Sequence, residues 1–270
     1  MSSSGLITIN FQIMTNDNKQ QKLSDSTDTA IGFIPCYRLP FLSLFHADCM
    51  EIMQQYPDKY FDLAIVDPPY GIGFDGNTTA NGGIAGERNG FTHKQHHEKK
   101  NWDNERPSQE YFTELQRVSK NQIIWGGNYF ADLLPASRGW IFWDKKITNV
   151  NNKNFSDGEL AWTSFNCILR RFTYDWIGFG YLNNKTGQKK IHPTEKPTQI
   201  YGEILNHYAT EGMKILDTHF GSGSIALAVD KANRLDKMNL HLTACEIDKE
   251  YIDKAIKRIS ESIKQGTLSF

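Results

Sequence analysis

Two short segments of this 270-residue chain carry residue types and spacings suited to chemistry. The first is Asp67-Pro68-Pro69-Tyr70, which halts the apolar run Phe61-Asp62-Leu63-Ala64-Ile65-Val66. Neither proline can donate to a sheet ladder or continue a helix, so the run must stop there. These four residues suit the task of holding an amino group attached to an aromatic ring. The lone pair of such an amine is delocalised, which makes the nitrogen a poor nucleophile. Acceptors at its hydrogens, the Asp67 carboxylate and the Pro68 carbonyl, would favour a tetrahedral nitrogen whose lone pair points at an electrophile, on a backbone that the prolines preorganise. Tyr70 offers a flat face for a base drawn out of its stack. The alternative is a rigid surface turn.

The second segment is Asp217-Thr218-His219-Phe220-Gly221-Ser222-Gly223-Ser224, between a strand at Met213 to Asp217 and a helix from Ile225 to about Arg234. Its glycines let backbone approach a ligand closely, and Glu246, closing the next strand, can accept hydrogen bonds from ribose hydroxyls. The dinucleotide fingerprint G-x-G-x-x-G is not met, because Ala226 holds its last position. A nucleoside-bearing cofactor is favoured and a pyrophosphate is not required; the alternative is a plain tight turn with a surface Glu.

Alternating strands and helices must position both segments. Strands are expected at Phe41 to His46, Phe61 to Val66, Gln122 to Trp125, Gly139 to Trp143, Leu160 to Phe165, Ile168 to Phe172 and Leu240 to Cys245. Helices are expected at Cys49 to Tyr56, at Ser108 to Ser119 with Ser108 as cap, at Pro197 to Tyr208 and at Lys249 to Lys264. This alternation implies an α/β fold with a mostly parallel sheet covered on both faces, whose ligands bind at the carboxyl ends of its strands. Residues 1–35 read as a partly ordered arm, 36–270 as one domain, and 71–107 as a long loop.

Composition narrows the classes. Hydrophobic residues at 39 %, aromatic at 12 % and charged at 23 % are globular usage and exclude disordered, collagenous and disulfide-rich scaffolds. No apolar stretch has the length of a membrane span and the start lacks a signal-peptide pattern, so a cytoplasmic protein without membrane association is expected. Cys36, Cys49, Cys167 and Cys245 have no metal spacing, and the loop histidines His93, His96 and His97 lack a Cys or carboxylate to complete one, so no metal is expected. The net charge of −1 speaks mildly against nucleic acid. Locally, however, Lys145, Lys146, Lys153, Arg170, Arg171, Lys185, Lys189, Lys190 and Lys196 outnumber the acids between Gly139 and Gln199. With Lys94, Lys99, Lys100 and Arg106 they could form a basic face. Trp140, Trp143, Trp162 and Trp176 read as core, and Trp102 either closes over a flipped base or anchors its loop.

Taken together, Asp48, Asp67-Pro68-Pro69-Tyr70, His192-Pro193-Thr194-Glu195-Lys196-Pro197, the Asp217 to Ser224 segment and Glu246 resemble the S-adenosylmethionine-dependent DNA amino-methyltransferases. Their order resembles the permuted β group, in which the target-amine motif precedes the cofactor motif. The resemblance covers Phe41 to the C-terminal helix. It implies a circularly permuted, Rossmann-like sheet of seven strands with one antiparallel, S-adenosyl-L-methionine as methyl donor leaving S-adenosyl-L-homocysteine, no metal, and base flipping in double-stranded DNA. It further implies that Asp67, Pro68, Pro69 and Tyr70 are catalytic. Phe220, Gly221, Ser222 and Gly223 would line the methionine and ribose part of the cofactor, with Asp67 and Asp217 beside it. Glu246 and Ile247 would meet the ribose, Asp48 the adenine amino group, and Thr194 and Lys196 the methionine end.

Thr218-His219 departs from the Pro-Phe of many relatives, and the target-recognition stretch at about 144–190 is short. Recognition of the DNA word would then fall to the 71–107 loop, that short stretch or a second subunit. A homodimer and a cognate restriction endonuclease are the partners such a protein would take. Asp67 at the head of its motif leans to adenine N6, where Ser more often accompanies cytosine N4. RNA or glutamine methylation would call for Asn there and the cofactor motif first. A silent subunit of a methylating complex would not need the intact tetrad.

Overall fold

The computed structural model describes residues 32–73, 100, 102–145, 156–174, 191 and 194–267. Most of the N-terminal arm, most of the 71–107 loop with His93, His96 and His97, Trp176, and His192-Pro193 lie outside the described residues. The described chain runs β1 (Tyr37–Leu39), β2 (Leu42–His46), α1 (Cys49–Met53), β3 (Phe61–Val66), α2 (Gln109–Val118) and β4 (Ser119–Trp125). A single 3-10 turn, Gly127–Phe130, leads to β5 (Trp140–Asp144), β6 (Gly158–Thr163) and β7 (Arg170–Thr173). Then come α3 (Thr198–Tyr208), β8 (Lys214–Asp217), α4 (Ser224–Asp236), β9 (His241–Glu246) and α5 (Lys249–Thr267).

All nine strands form one sheet in the order β1-β2-β9-β8-β3-β4-β6-β5-β7. Its body, β2-β9-β8-β3-β4-β6-β5, is the expected seven strands with one, β6, reversed. The sequence reading missed β1, which adds an antiparallel hairpin to β2; β7, the strand expected at Ile168 to Phe172, lies parallel beyond β5 as an addition to the seven that the resemblance implies. β7 also begins later than expected, since Ile168 and Leu169 are exposed. Permutation is visible in the neighbours: β2 lies parallel to β9, and β3 parallel to β8.

Both faces of the sheet are covered, which is why β3 reads as an unbroken apolar run. Period-two alternation sends Leu63 and Ile65 of β3, Ile123 and Trp125 of β4, and Ile215 of β8 into one core with α3, α4 and α5. Ala64, Val66, Ile124 and Leu216 enter the other, with Ile52 and Met53 of α1 and Tyr111, Phe112, Leu115 and Val118 of α2. The last four are the expected apolar stripe, whereas Ser108 occupies the N-cap position without a side-chain capping bond. Trp143 and Trp162 are core, as expected. All four cysteines are free thiols. Among the described residues no helix is long and apolar enough to cross a membrane and no acidic, His or Cys group could hold a metal.

Candidate active site

The carboxyl ends of β3, β8 and β9 open on one cavity of about 730 Å³. β3 delivers Asp67-Pro68-Pro69-Tyr70, and all four line it. The turn is fixed from a distance: the carboxylate of buried Asp103 accepts from the backbone N–H of Tyr70 (2.7 Å) and of Gly71 (3.0 Å). The Tyr70 ring stacks on Tyr129, with centroids 4.8 Å apart and planes 17° from parallel. It also lies over Gly126, whose φ is +70° and where a Cβ would come within 2.2 Å of the ring. Only glycine combines that backbone conformation with so close an approach.

β8 leads into the glycine loop. Phe220, Gly221 and Ser222 line the cavity, and Gly223, at φ +72°, turns the chain into α4 without reaching it. Glu246 closes β9 and lines the cavity beside exposed Ile247. Its two carboxylate oxygens accept from the N–H of Gly221 and of Asp248, each at 2.9 Å, which locks the side chain while leaving lone pairs for a ligand. Burial pushes this carboxyl upward, against those two bonds. Arg258 of α5 ties the loop to the segment before α3, reaching the Ser222 carbonyl at 3.0 Å, Ser224 Oγ at 3.0 Å and Glu195 at 3.0 Å. Thr194 and Lys196 of that segment line the cavity.

Asp48 and Asp217 are placed differently from the rest. Asp48 accepts from Met50 N at 2.7 Å and caps α1, and it is not among the lining residues. Asp217 is buried beneath the loop, where it accepts from His219 N at 3.0 Å. Burial pushes its carboxyl up to about 8. His219 does line the cavity, with Nδ1 2.9 Å from Thr218 Oγ1 and burial holding its ring down at about 4, so it is neutral. The Thr218-His219 departure thus puts an uncharged imidazole in the pocket wall.

At the Asp67 end the site is ionic. The Tyr70 hydroxyl donates to Asp67 Oδ1 at 2.8 Å, and Lys196 Nζ donates to Asp67 Oδ2 and lies 3.2 Å from Glu159 Oε2. Lys145 pairs with Glu159 at 2.7 Å. Burial pushes Asp67 upward, opposed by Lys196. Burial and then the Asp67 charge push the Tyr70 phenol well above its ordinary 10, so it remains a donor. Burial raises Glu159 too, but Lys196 and Lys145 outweigh it and hold the carboxyl at about 2.

These pairs revise the expected basic face. Lys196 is buried and Lys145 faces Glu159, while Lys100 meets Asp248 (2.7 Å) and Glu250, and Arg106 meets Asp132 (2.6 Å). Of the expected basic residues that are described, Arg106 is exposed although ion-paired, and Arg170 and Arg171 are exposed on β7. Trp102 lines the cavity beside Tyr251 of α5, on the glycine-loop side.

The chain is similar to Type II methyltransferase M.HinfI of Haemophilus influenzae, 24 % identical over 261 residues, covering 81 % of this chain and 68 % of that one. It is also similar to Type II methyltransferase M.HpaI of Haemophilus parainfluenzae, 24 % identical over 252 residues, covering 80 % and 73 %. The family model described as DNA methylase matches residues 124–257. That match, just under half of the chain, and the two relatives support an S-adenosylmethionine-dependent DNA amino-methyltransferase. The matched span holds Thr194 to Lys196, the glycine loop and Glu246; the Asp67 motif precedes it. In fold, the methylase resembles the cytosine-N4-specific PvuII DNA methyltransferase, with a TM-score of 0.52 at 11 % identity over 87 % of this chain and 95 % of that one.

Sequence reasoning did not assign Asp103, Tyr129, Glu159 or Arg258 to the methylase site. Glu159 alone left a signal, as a carboxylate heading the apolar run Leu160-Ala161-Trp162. The other three are brought in by contacts between segments far apart in the chain.

Proposed function

We propose that this DNA methylase transfers a methyl group from S-adenosylmethionine to the exocyclic N6 of adenine in double-stranded DNA, with the base flipped out of the helix. The observation that supports it is the shared cavity: the amine-holding motif and the glycine loop face one space large enough for a nucleoside cofactor and a base together. The donor set fits the cofactor. Glu246 keeps lone pairs for ribose hydroxyls, Phe220 and Gly221 offer an apolar edge and close backbone, and Thr194 stands nearer Lys196 for the methionine end. S-adenosylmethionine would supply an electrophilic methyl on a sulfonium: in-line attack by the amine would form the nitrogen–carbon bond as the carbon–sulfur bond breaks, with inversion at the methyl and S-adenosylhomocysteine leaving.

Asp67 and the Pro68 carbonyl accept from the amine and shape its lone pair, and Tyr70 with Tyr129 forms the stacking wall for the base. The raised Asp67 carboxyl is suited to take the proton that the attacking nitrogen sheds. Two Type II relatives favour a place beside a restriction endonuclease.

The deciding experiment incubates the protein with DNA and methyl-labelled S-adenosylmethionine, then digests the DNA to nucleosides and identifies the labelled one. N6-methyladenine is expected; label on N4 of cytosine alone would overturn the base assignment. Asp67→Ala should abolish transfer and keep cofactor binding. Single-molecule sequencing of DNA from expressing cells would give the recognised word.

A further inference from the structure

The reversed strand β6 brings its beginning, rather than its end, to the edge where β3 and β4 finish. Gly126 N donates to Leu160 O at 2.8 Å across that edge, so Glu159 stands next to the Asp67 turn. Lys196 is 2 % exposed; its ammonium donates to Asp67 Oδ2 and to the Tyr70 hydroxyl at 3.3 Å, and forms an ion pair with Glu159 Oε2 at 3.2 Å, an oxygen that accepts no hydrogen bond in this arrangement. Lys196 Nζ lies over the Trp125 ring, 5.1 Å from the centroid.

This arrangement meets a difficulty in the proposed chemistry, on which the inference rests. Asp67 already spends one oxygen on Tyr70 and one on Lys196. Each oxygen keeps a second lone pair, yet to aim one at a substrate amine the carboxylate must turn, which strains the Lys196 bond. Were Asp67 the sole partner of Lys196, that movement would strand a desolvated cation, which is strongly unfavourable. A second carboxylate removes the obstacle.

We infer that Glu159 is a positioning residue for methyl transfer: it retains the Lys196 ammonium when Asp67 turns to the target amine. Lys145, 2.7 Å from its other oxygen, keeps Glu159 ionised for that role. Asp67 faces Tyr70 on its own turn, Glu159 on β6, Lys196 before α3, Tyr201 on α3 and Asp217 on β8. Glu195, next to Lys196, is occupied by Arg258. Of the carboxylates in this set, Glu159 adds to the rise of Asp67, and its loss lowers Asp67.

The test is Glu159→Gln, which keeps shape and removes charge. Expected is a kcat loss of about 10- to 100-fold, the size of one charge-assisted hydrogen bond, with unchanged affinity for S-adenosylhomocysteine. The acid limb of the kcat profile, set by ionised Asp67, should move to lower pH. A wild-type kcat with an unmoved limb, or a loss of activity matched by loss of S-adenosylhomocysteine binding, would overturn the inference. If wild-type protein methylates no DNA nitrogen, the proposed function fails instead. Should the single variant not fold, Glu159→Gln with Lys145→Gln removes the pair as a unit and is read by the same assays.

Discussion

Gly126→Ala is the sharpest probe of how the Asp67 turn is built. An added Cβ would stand 2.2 Å from Tyr70 Cε1 and 2.6 Å from Cδ1, against roughly 3.5–4.0 Å for unstrained carbon contact, so the ring must retreat by more than about 1 Å. That retreat breaks the 2.8 Å bond from the Tyr70 hydroxyl to Asp67 and disturbs the Tyr129 stack. Left-handed backbone at a non-glycine residue costs about 1–2 kcal/mol, overpacking about 1–3, and a lost bond to a charged group about 1.5–3. Since these overlap, a total of about 3–5 kcal/mol is expected. Gly212 supplies the control: its φ is +78°, and an added Cβ meets nothing within 4 Å. Gly212→Ala should therefore report backbone strain alone, about 1–2 kcal/mol. Urea unfolding measures both variants, and turnover on DNA measures the misplacement of Tyr70, which should cost Gly126→Ala on the order of 100-fold. Equal losses of stability in the two variants, or a Gly126→Ala protein with wild-type turnover, would refute the reasoning.

Two further outcomes follow from buried charge. Burial raises Asp217 from 3.8 to about 8, so its stabilising contribution is fully present below about pH 4 and is lost as pH rises to about 8, by about 1.4 kcal/mol per unit. The neutral Asp217→Asn keeps an acceptor for His219 N, and its unfolding free energy should gain on wild type across that window. His219, held at about 4, contributes with the opposite sign on the acid side, and the wild-type-minus-variant difference cancels it. A difference that stays flat with pH would count against the burial argument. Arg258→Met should take from buried Glu195 the cation that pairs with it and untether the Ser222 loop, costing about 3 kcal/mol in urea unfolding and weakening S-adenosylhomocysteine binding in calorimetry. Unchanged affinity would show that the loop holds its shape without the tether.

What could be read from the sequence was whatever local chemistry forces. The unbroken apolar run of β3, its stop at two prolines and the glycine turn before α4 each follow from backbone rules, and they located the ends of β3 and β8 at one edge. Glu246 was legible for the same reason, as a lone acid ending an apolar strand. Ion pairs were not: Lys145 looks like any solvated lysine, and Lys196 was expected only at the cofactor, until β6 presents Glu159 to both. Asp103 reaches back 33 residues to the Tyr70 turn, a contact with no period to betray it. Arg258 sits on the polar side of an amphipathic helix and reads as surface, although it bridges two parts of the pocket. Asp48 shows the converse, a residue named for the cofactor whose visible work is to cap α1.

The pairing of β3 with β8 has a bearing on how the chain reaches this state. Lys214 N bonds Asp62 across a separation of 152 residues, and β2 waits similarly for β9. During vectorial synthesis the two strands that carry Asp67 and Asp48 emerge early, yet the middle of the sheet can zip only after the glycine-loop segment has been made. Contacts of such high sequence separation form slowly and leave apolar strand edges open meanwhile. A ribosome-stalled chain ending before β8 should therefore be protease-sensitive throughout, and acquisition of the catalytic turn and of the cofactor loop should be one event in time rather than two.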